Sequence, residues 1–143
     1  MSRLGFALTL AVLSCGVPST HPALGSHHEL SNRSESTMIA SAQISPSEKI
    51  LIGGITYTIA VNENNRVTFI QSQDPRFKTP EGLSVESTLA DVLAAGGRPV
   101  LYETGWAQYS ELPSGWCAAF YGPLPDLFRP PTANSKVAHF FKR

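Results

Sequence analysis

The stretch Thr79-Pro-Glu-Gly-Leu-Ser-Val-Glu-Ser-Thr-Leu-Ala-Asp-Val-Leu-Ala-Ala-Gly-Gly97 carries a complete set of local folding instructions. The Thr88 hydroxyl can accept from the backbone amide of Asp91, and the Asp91 carboxylate can reach back, a Thr-x-x-Asp form of the capping box. Leu89, Val92 and Leu93 then fall at i, i+3 and i+4 and make one apolar stripe. Gly96 and Gly97 supply a residue tolerant of positive φ to end the helix, and Pro99 prevents its return. The reading is a short helix laid on an apolar surface, and it carries no chemistry. What flanks it on both sides reads as strand.

Upstream, Ile55, Tyr57, Ile59 and Val61 alternate with Thr56, Thr58 and Ala60, a strand composition with one apolar face. Asn62-Glu63-Asn64-Asn65 is a polar turn in which Asn can take positive φ. Arg66 to Gln71 returns as a second strand with Val67 and Phe69 on one face, completing a β-hairpin. Asp74-Pro75 marks a turn in the loop that follows, with Phe77 as its inward anchor. Downstream of the helix, Val100–Glu103, Trp106–Leu112 and Trp116–Tyr121 read as three more strands, separated by Thr104-Gly105 and Pro113-Ser114-Gly115. Gly122 to Pro131 holds Pro123, Pro125, Pro130 and Pro131, so it is neither helix nor central strand; Leu124, Leu127 and Phe128 are expected to press it onto the domain. Val137–Phe141 is the candidate for a last, edge strand. The order β-β-α-β-β-β, with one more strand at the end, predicts an α+β domain over residues 48–143: an antiparallel sheet of five or six strands with a single short helix on one face.

The segment Phe77, Thr79, Gly82, Leu83, Val85, Ser87, Thr88, Leu89, Asp91 and Val92 follows the pattern F-x-T-x-x-G-L-x-V-x-S-T-L-x-D-V. Together with the preceding hairpin it resembles a segment recurring in small exported bacterial proteins and lipoproteins of unassigned function. The resemblance implies a shared folding unit and no activity.

Residues 1–16 read as a signal peptide. Arg3 forms a minimal positive region and Leu4 to Leu13 an apolar run too short to span about 30 Å of hydrocarbon as a helix. Val12-Leu13-Ser14-Cys15 resembles the lipobox of bacterial lipoproteins, with Leu13 where that motif prefers a small residue, so Cys15 is the candidate lipidation site. Ordinary cleavage after Gly16 or Gly25 is the competing outcome. Residues 17–47 are rich in Ser, His, Thr, Asn and Pro without apolar period and are expected to be a disordered linker, the tether of a lipid-anchored domain. His21, His27 and His28 lie in that segment without a scaffold to converge them on a metal.

The 143 residues carry zero formal net charge and only 15% charged residues, with no basic run, which argues against nucleic acid. Membrane attachment is expected through the lipid anchor alone. With Cys15 lipidated or removed, Cys117 is left without an intrachain disulfide partner. No phosphate loop or zinc spacing is present, and no cofactor is implied. Cys117 with His139 is the sharpest enzymatic pairing, a thiol with a base, but a Cys alternating in a strand between Trp116 and Ala118 is ordinarily a small buried hydrophobe. The remaining feature is the aromatic density of Tyr102, Trp106, Tyr109, Trp116, Phe120 and Tyr121. Alternation puts Trp106 with Gln108, Ser110 and Leu112, and Tyr109 on the opposite face. Trp106, Tyr109 and Trp116 are the candidates for a binding surface, since exposed Trp and Tyr are enriched at interfaces. The expected function is a non-catalytic exported domain, lipid-anchored or periplasmic, that binds a protein or glycan of the cell envelope or its surroundings. A thiol-dependent or hydrolytic enzyme and an inhibitor of an extracellular enzyme are the alternatives.

Overall fold

A computed structural model describes residues 21–122 and 126–143; the leader and Cys15 lie outside the described residues, as does Leu124. Eight strands and one helix follow in the order β1 (Ser36–Ala40), β2 (Gln43–Ile52), β3 (Ile55–Val61), β4 (Val67–Ser72), α1 (Leu89–Ala94), β5 (Leu101–Glu103), β6 (Ala107–Glu111), β7 (Cys117–Phe120) and β8 (His139–Lys142). They form one antiparallel sheet, ordered β1-β2-β3-β4-β8-β7-β6-β5, curled into a half-barrel. This corrects the expected α+β domain of five or six strands: the fold is a predominantly β half-barrel of eight strands to which a six-residue helix is appended.

Of the two unforeseen strands, β1 and the first half of β2 lie in the stretch expected to be a linker. Ala40 pairs with Gln43, so Ser41 and Ala42 are a two-residue hairpin turn, with Ala42 at φ 55° in the left-handed region. Such turns are ordinarily announced by Asn or Gly, and Ala gives no such signal. β2 is longer than its partners: Gln43–Pro46 pair with β1 and Ser47–Ile52 with β3, so the β1–β2 hairpin overhangs the sheet. Residues ahead of β1 are also tied down. Gly25 N donates to Val67 O (2.8 Å) and Val67 N to Ser26 O (2.9 Å), occupying the part of β4 that the short β8 does not reach.

The second correction concerns β8. Expected as an edge, it sits in the middle of the sheet, between β4 and β7. Its four residues, His-Phe-Phe-Lys, are too few to show a period, and only the long-range pairing places them.

A third correction concerns which faces the side chains take. Ala60 pairs with Phe69 but Val61 with Val67, leaving Thr68 as a bulge. The extra residue turns Phe69 to the face opposite Val67, where alternation alone would put them together. Trp106 likewise leaves the face of Gln108 and Ser110. Glu103 pairs with Ala107 across the three-residue turn Thr104–Trp106, with Gly105 at φ 72°, and this sends the indole to the Tyr109 side.

Two apolar clusters result, one on each face. The larger holds Tyr57, Ile59, Val61, Ile70, Trp116, Ala118, Phe120 and Phe140, covered by the loop anchored on Phe77 and by α1. The smaller holds Ala60, Phe69, Cys117, Ala119 and Phe141, with Ile39, Trp106 and Tyr109 packed against it. The helix forms as its cap predicts: Thr88 Oγ1 accepts from Asp91 N, and Asp91 Oδ2 from Thr88 N (2.9 Å). The first-turn amides of Leu89 and Ala90 donate to Ser135 O and Ala133 O, so the helix start is stitched to the C-terminal segment. Of the predicted stripe, Leu89 and Val92 are buried but Leu93 is 46% exposed. At the other end, Gly97 is required by close approach: a Cβ there would lie 2.6 Å from Ser110 Oγ and 2.8 Å from Val92 O. Leu127 and Phe128, expected against the domain, remain about two-fifths exposed, with Phe128 resting on Tyr102 (5.6 Å between ring centroids).

Candidate functional site

The three aromatic candidates do not form one surface. Trp116 is 3% exposed in the larger cluster, 4.7 Å from the Phe77 ring. Trp106 and Tyr109 lie on the other face, each edge-on to Phe141 at 4.8 and 5.2 Å. Their remaining side is covered by Arg143, whose guanidinium lies 4.6 Å over the Trp106 ring and donates to Glu103 Oε2 (2.7 Å) and Tyr109 Oη (3.2 Å). The Arg143 contact holds the Glu103 carboxyl below its ordinary range, helped by the Ser41 amide at 2.9 Å. Ser41 Oγ also donates to Thr104 O (2.6 Å), and Arg143 Nη1 to Ile39 O (3.1 Å). This constellation is a structural closure: it draws the overhanging β1–β2 hairpin onto the β5–β6 turn.

Cys117 and His139 share the smaller cluster's face on neighbouring strands, but out of register. Cys117 stands opposite Phe141, and His139 opposite Ala119, which makes the two side chains diagonal neighbours. They are 8% and 5% exposed. Burial, reinforced by the Glu111 charge, pushes the Cys117 thiol up to about 11, and burial pulls the His139 imidazole down to about 4. A thiol nucleophile needs the opposite shifts, a lowered thiol beside a charged imidazole. At neutral pH both groups are uncharged, and nothing in this arrangement makes a thiolate.

The same face of the sheet opens at its other end into a cleft of about 490 Å³, lined by Lys49, Thr56, Thr58 and Gln71 together with the turn Ser72–Arg76. It is larger than the clefts at His21–Leu24 (about 410 Å³) and at Arg129–Pro131 (about 360 Å³). Register explains its position. Lys49 pairs with Thr58, Thr58 with Gln71, Gln71 with Phe141, Phe141 with Cys117 and Cys117 with Glu111. Paired residues share a face, so one transverse row runs from an exposed cation, over a hydroxyl and an amide, into the buried aromatic cluster. Thr56 and Thr58 are good strand formers whose hydroxyls stay wet because nothing covers β2–β4 here.

One wall of the cleft is rigid. The Asp74 carboxylate accepts from Thr56 N (2.9 Å) and Arg76 N (2.9 Å) and takes Arg76 Nε (2.9 Å) and Nη2 (2.7 Å) as a fork. Those bonds, the guanidinium first, hold its carboxyl well below the usual carboxylate range. Ser72 Oγ closes the same turn on Thr56 O (2.9 Å). Arg76 is thus fixed in place with its side chain 65% exposed, while Lys49 has no carboxylate partner among the described residues. Asp74 is spent on its partners, so the cleft presents net positive charge over neutral donors and acceptors. In sequence, Asp74-Pro75 reads as a turn and Thr56 and Thr58 alternate with the apolar residues of a strand; the signal for a cleft is that this polar face extends across three strands, which only the register reveals.

Among the described residues no group of three or more His, Cys, Asp or Glu side chains converges on a point, and no helix is long and apolar enough to cross a membrane. No protein-family model, curated protein or solved structure matches the chain.

Proposed function

We propose that the chain is a non-catalytic exported domain that binds a component of the cell envelope or its surroundings, and that the β2–β4 cleft is the surface it uses. The observation that carries this reading is the cleft itself: a concave site lined by polar residues with a fixed wall, at the end of a sheet face whose other end is filled by the smaller apolar cluster. The site holds no acid–base pair poised for chemistry, since Asp74 is locked as an acceptor.

Attachment through Cys15 belongs to the same proposal. A diacylated Cys15 supplies the two chains that stable anchoring takes. The mass of the mature N-terminal peptide decides it: a lipidated start at Cys15 is expected, and Cys15→Ser should shift the protein out of the membrane fraction with its fold unchanged. A mature chain beginning at Val17 or Ser26 would leave the domain exported but unanchored. For binding, amide shifts on adding fractionated envelope material are expected at Thr56, Thr58, Gln71 and Gln73. Shifts confined to the Tyr102–Phe128 side would move the site, and turnover of a substrate dependent on Cys117 would replace the reading with the thiol enzyme.

A further inference from the structure

We infer that the β2–β4 cleft takes an acidic saccharide, with its carboxylate or phosphate on Lys49 and Arg76 and its hydroxyls on Thr58, Gln71 and Gln73. This rests on the cleft being the binding surface. Two cations line it, and their states differ in a useful way. Arg76 commits Nε and Nη2 to Asp74, which orients the guanidinium and leaves Nη1 without a hydrogen-bond partner among the described residues. A planar fork held by a carboxylate loses little rotamer freedom when it gains an anion. Lys49 is exposed and carries a charge that no described carboxylate balances. The carboxylate lining the cleft, Asp74, is saturated by four donors and already paired with Arg76, so the uncompensated charge in the cleft is that of Lys49.

The floor selects the rest of the ligand. Thr58, Gln71 and Gln73 offer hydroxyl and amide groups, each able to donate and accept, which suits a polyol. Among the described residues no aromatic ring lines the cleft, so a neutral sugar would lack the flat platform on which its C–H face stacks. Charge must therefore supply the anchoring, and hydroxyls the fit. Glu111, at the far end of the same transverse row, is separated from Lys49 by four intervening strands and pairs with Arg98. The ionisable groups that face a bound anion are thus Lys49, Arg76 and the saturated Asp74.

The test is amide-shift titration of the full chain with four probes: a hexuronate oligomer, a hexose phosphate, a neutral hexose oligomer of equal length, and inorganic phosphate. One or both acidic sugars should shift Thr58, Gln71 and Gln73 saturably, and which one responds identifies the oxyanion. The neutral oligomer should bind at least about tenfold more weakly. Raising salt from about 10 mM to about 150 mM, which shortens the Debye length from about 30 Å to about 8 Å, should weaken binding. Lys49→Gln should cost about tenfold and Lys49→Arg should restore most of it; Lys49 is exposed, so the fold survives either change. Equal binding of the neutral oligomer, or indifference to Lys49→Gln, overturns the anion inference while leaving the cleft as a site. Inorganic phosphate binding as tightly as the hexose phosphate overturns the saccharide. If none of the four moves these amides while envelope material shifts another face, the reading of the cleft fails as well.

Discussion

The Trp106 indole donates through Nε1 to the backbone oxygen of Met38, 3.1 Å away, and so bonds the β5–β6 turn to the first strand of the sheet. A half-barrel leaves two open edges, and an edge strand with unpaired backbone groups is a liability. Here side chains replace the missing strand pairing: Trp106 takes Met38 O, Arg143 takes Ile39 O, and Glu103 takes Ser41 N. Trp106→Phe keeps an aromatic ring against Phe69 and Phe141 but removes the donor. It should cost about 1 kcal/mol in denaturant unfolding, the usual net worth of one hydrogen bond. Amide exchange should rise selectively at Thr37 to Ala40. Unchanged exchange there would mean that pairing with β2 alone holds β1.

His139 makes the fold acid-sensitive from about pH 6.5 downward, starting before the carboxylates titrate. Its folded pKa of about 4 lies below the ordinary 6.5, so the unfolded chain binds the extra proton between these values. Stability therefore rises with pH across that window, and acidification from pH 6.5 to about 4 should cost on the order of 2 to 3 kcal/mol. His139→Phe, in contact with Tyr121 and Phe141, should flatten the profile over this interval. A wild-type profile that is already flat between these values would contradict the burial argument.

Cys117 should resist thiol reagents in the native state. It is 8% exposed, and burial holds its thiol at about 11, so the thiolate is scarce at neutral pH. Labelling should follow unfolding, with its rate rising in step with denaturant. Fast labelling of the native chain at neutral pH would show that the pocket opens or that the thiol is activated, and would reopen the enzymatic alternative.

The apolar stripe of the helix divides on contact with the sheet. Val92 is fully buried and Leu93 is 46% exposed. Val92→Ala should cost about 2 kcal/mol and Leu93→Ala less than about 1 kcal/mol. Comparable losses at both positions would mean that the helix lies on the sheet at a different rotation.

What the chain's local chemistry determined is now separable from what its tertiary structure decided. The Thr88–Asp91 box, the Gly96-Gly97 ending, the β3–β4 hairpin and the alternation of Trp116, Ala118 and Phe120 were legible because each depends on neighbours a few residues apart. The Asn62–Asn65 turn was equally plain, with Asn65 at φ 54°. The β1 strand was not legible, since its five residues show no apolar–polar alternation and its turn uses Ala42. Nor were the faces of Phe69 and Trp106, because a bulge at Thr68 and the three-residue turn Thr104–Trp106, respectively, break the alternation that such a reading extrapolates. The central place of β8 and the closure of the barrel rest on contacts between distant positions, Arg143 with Ile39 across 104 residues and Ser41 with Glu103 across 62. Such pairings leave no periodic trace in the chain, because their free energy comes from burying Phe140 and Phe141 between strands that meet only once the sheet has formed. The cleft is the same kind of object: Lys49, Thr58 and Gln71 are ordinary residues on three strands until register sets them side by side.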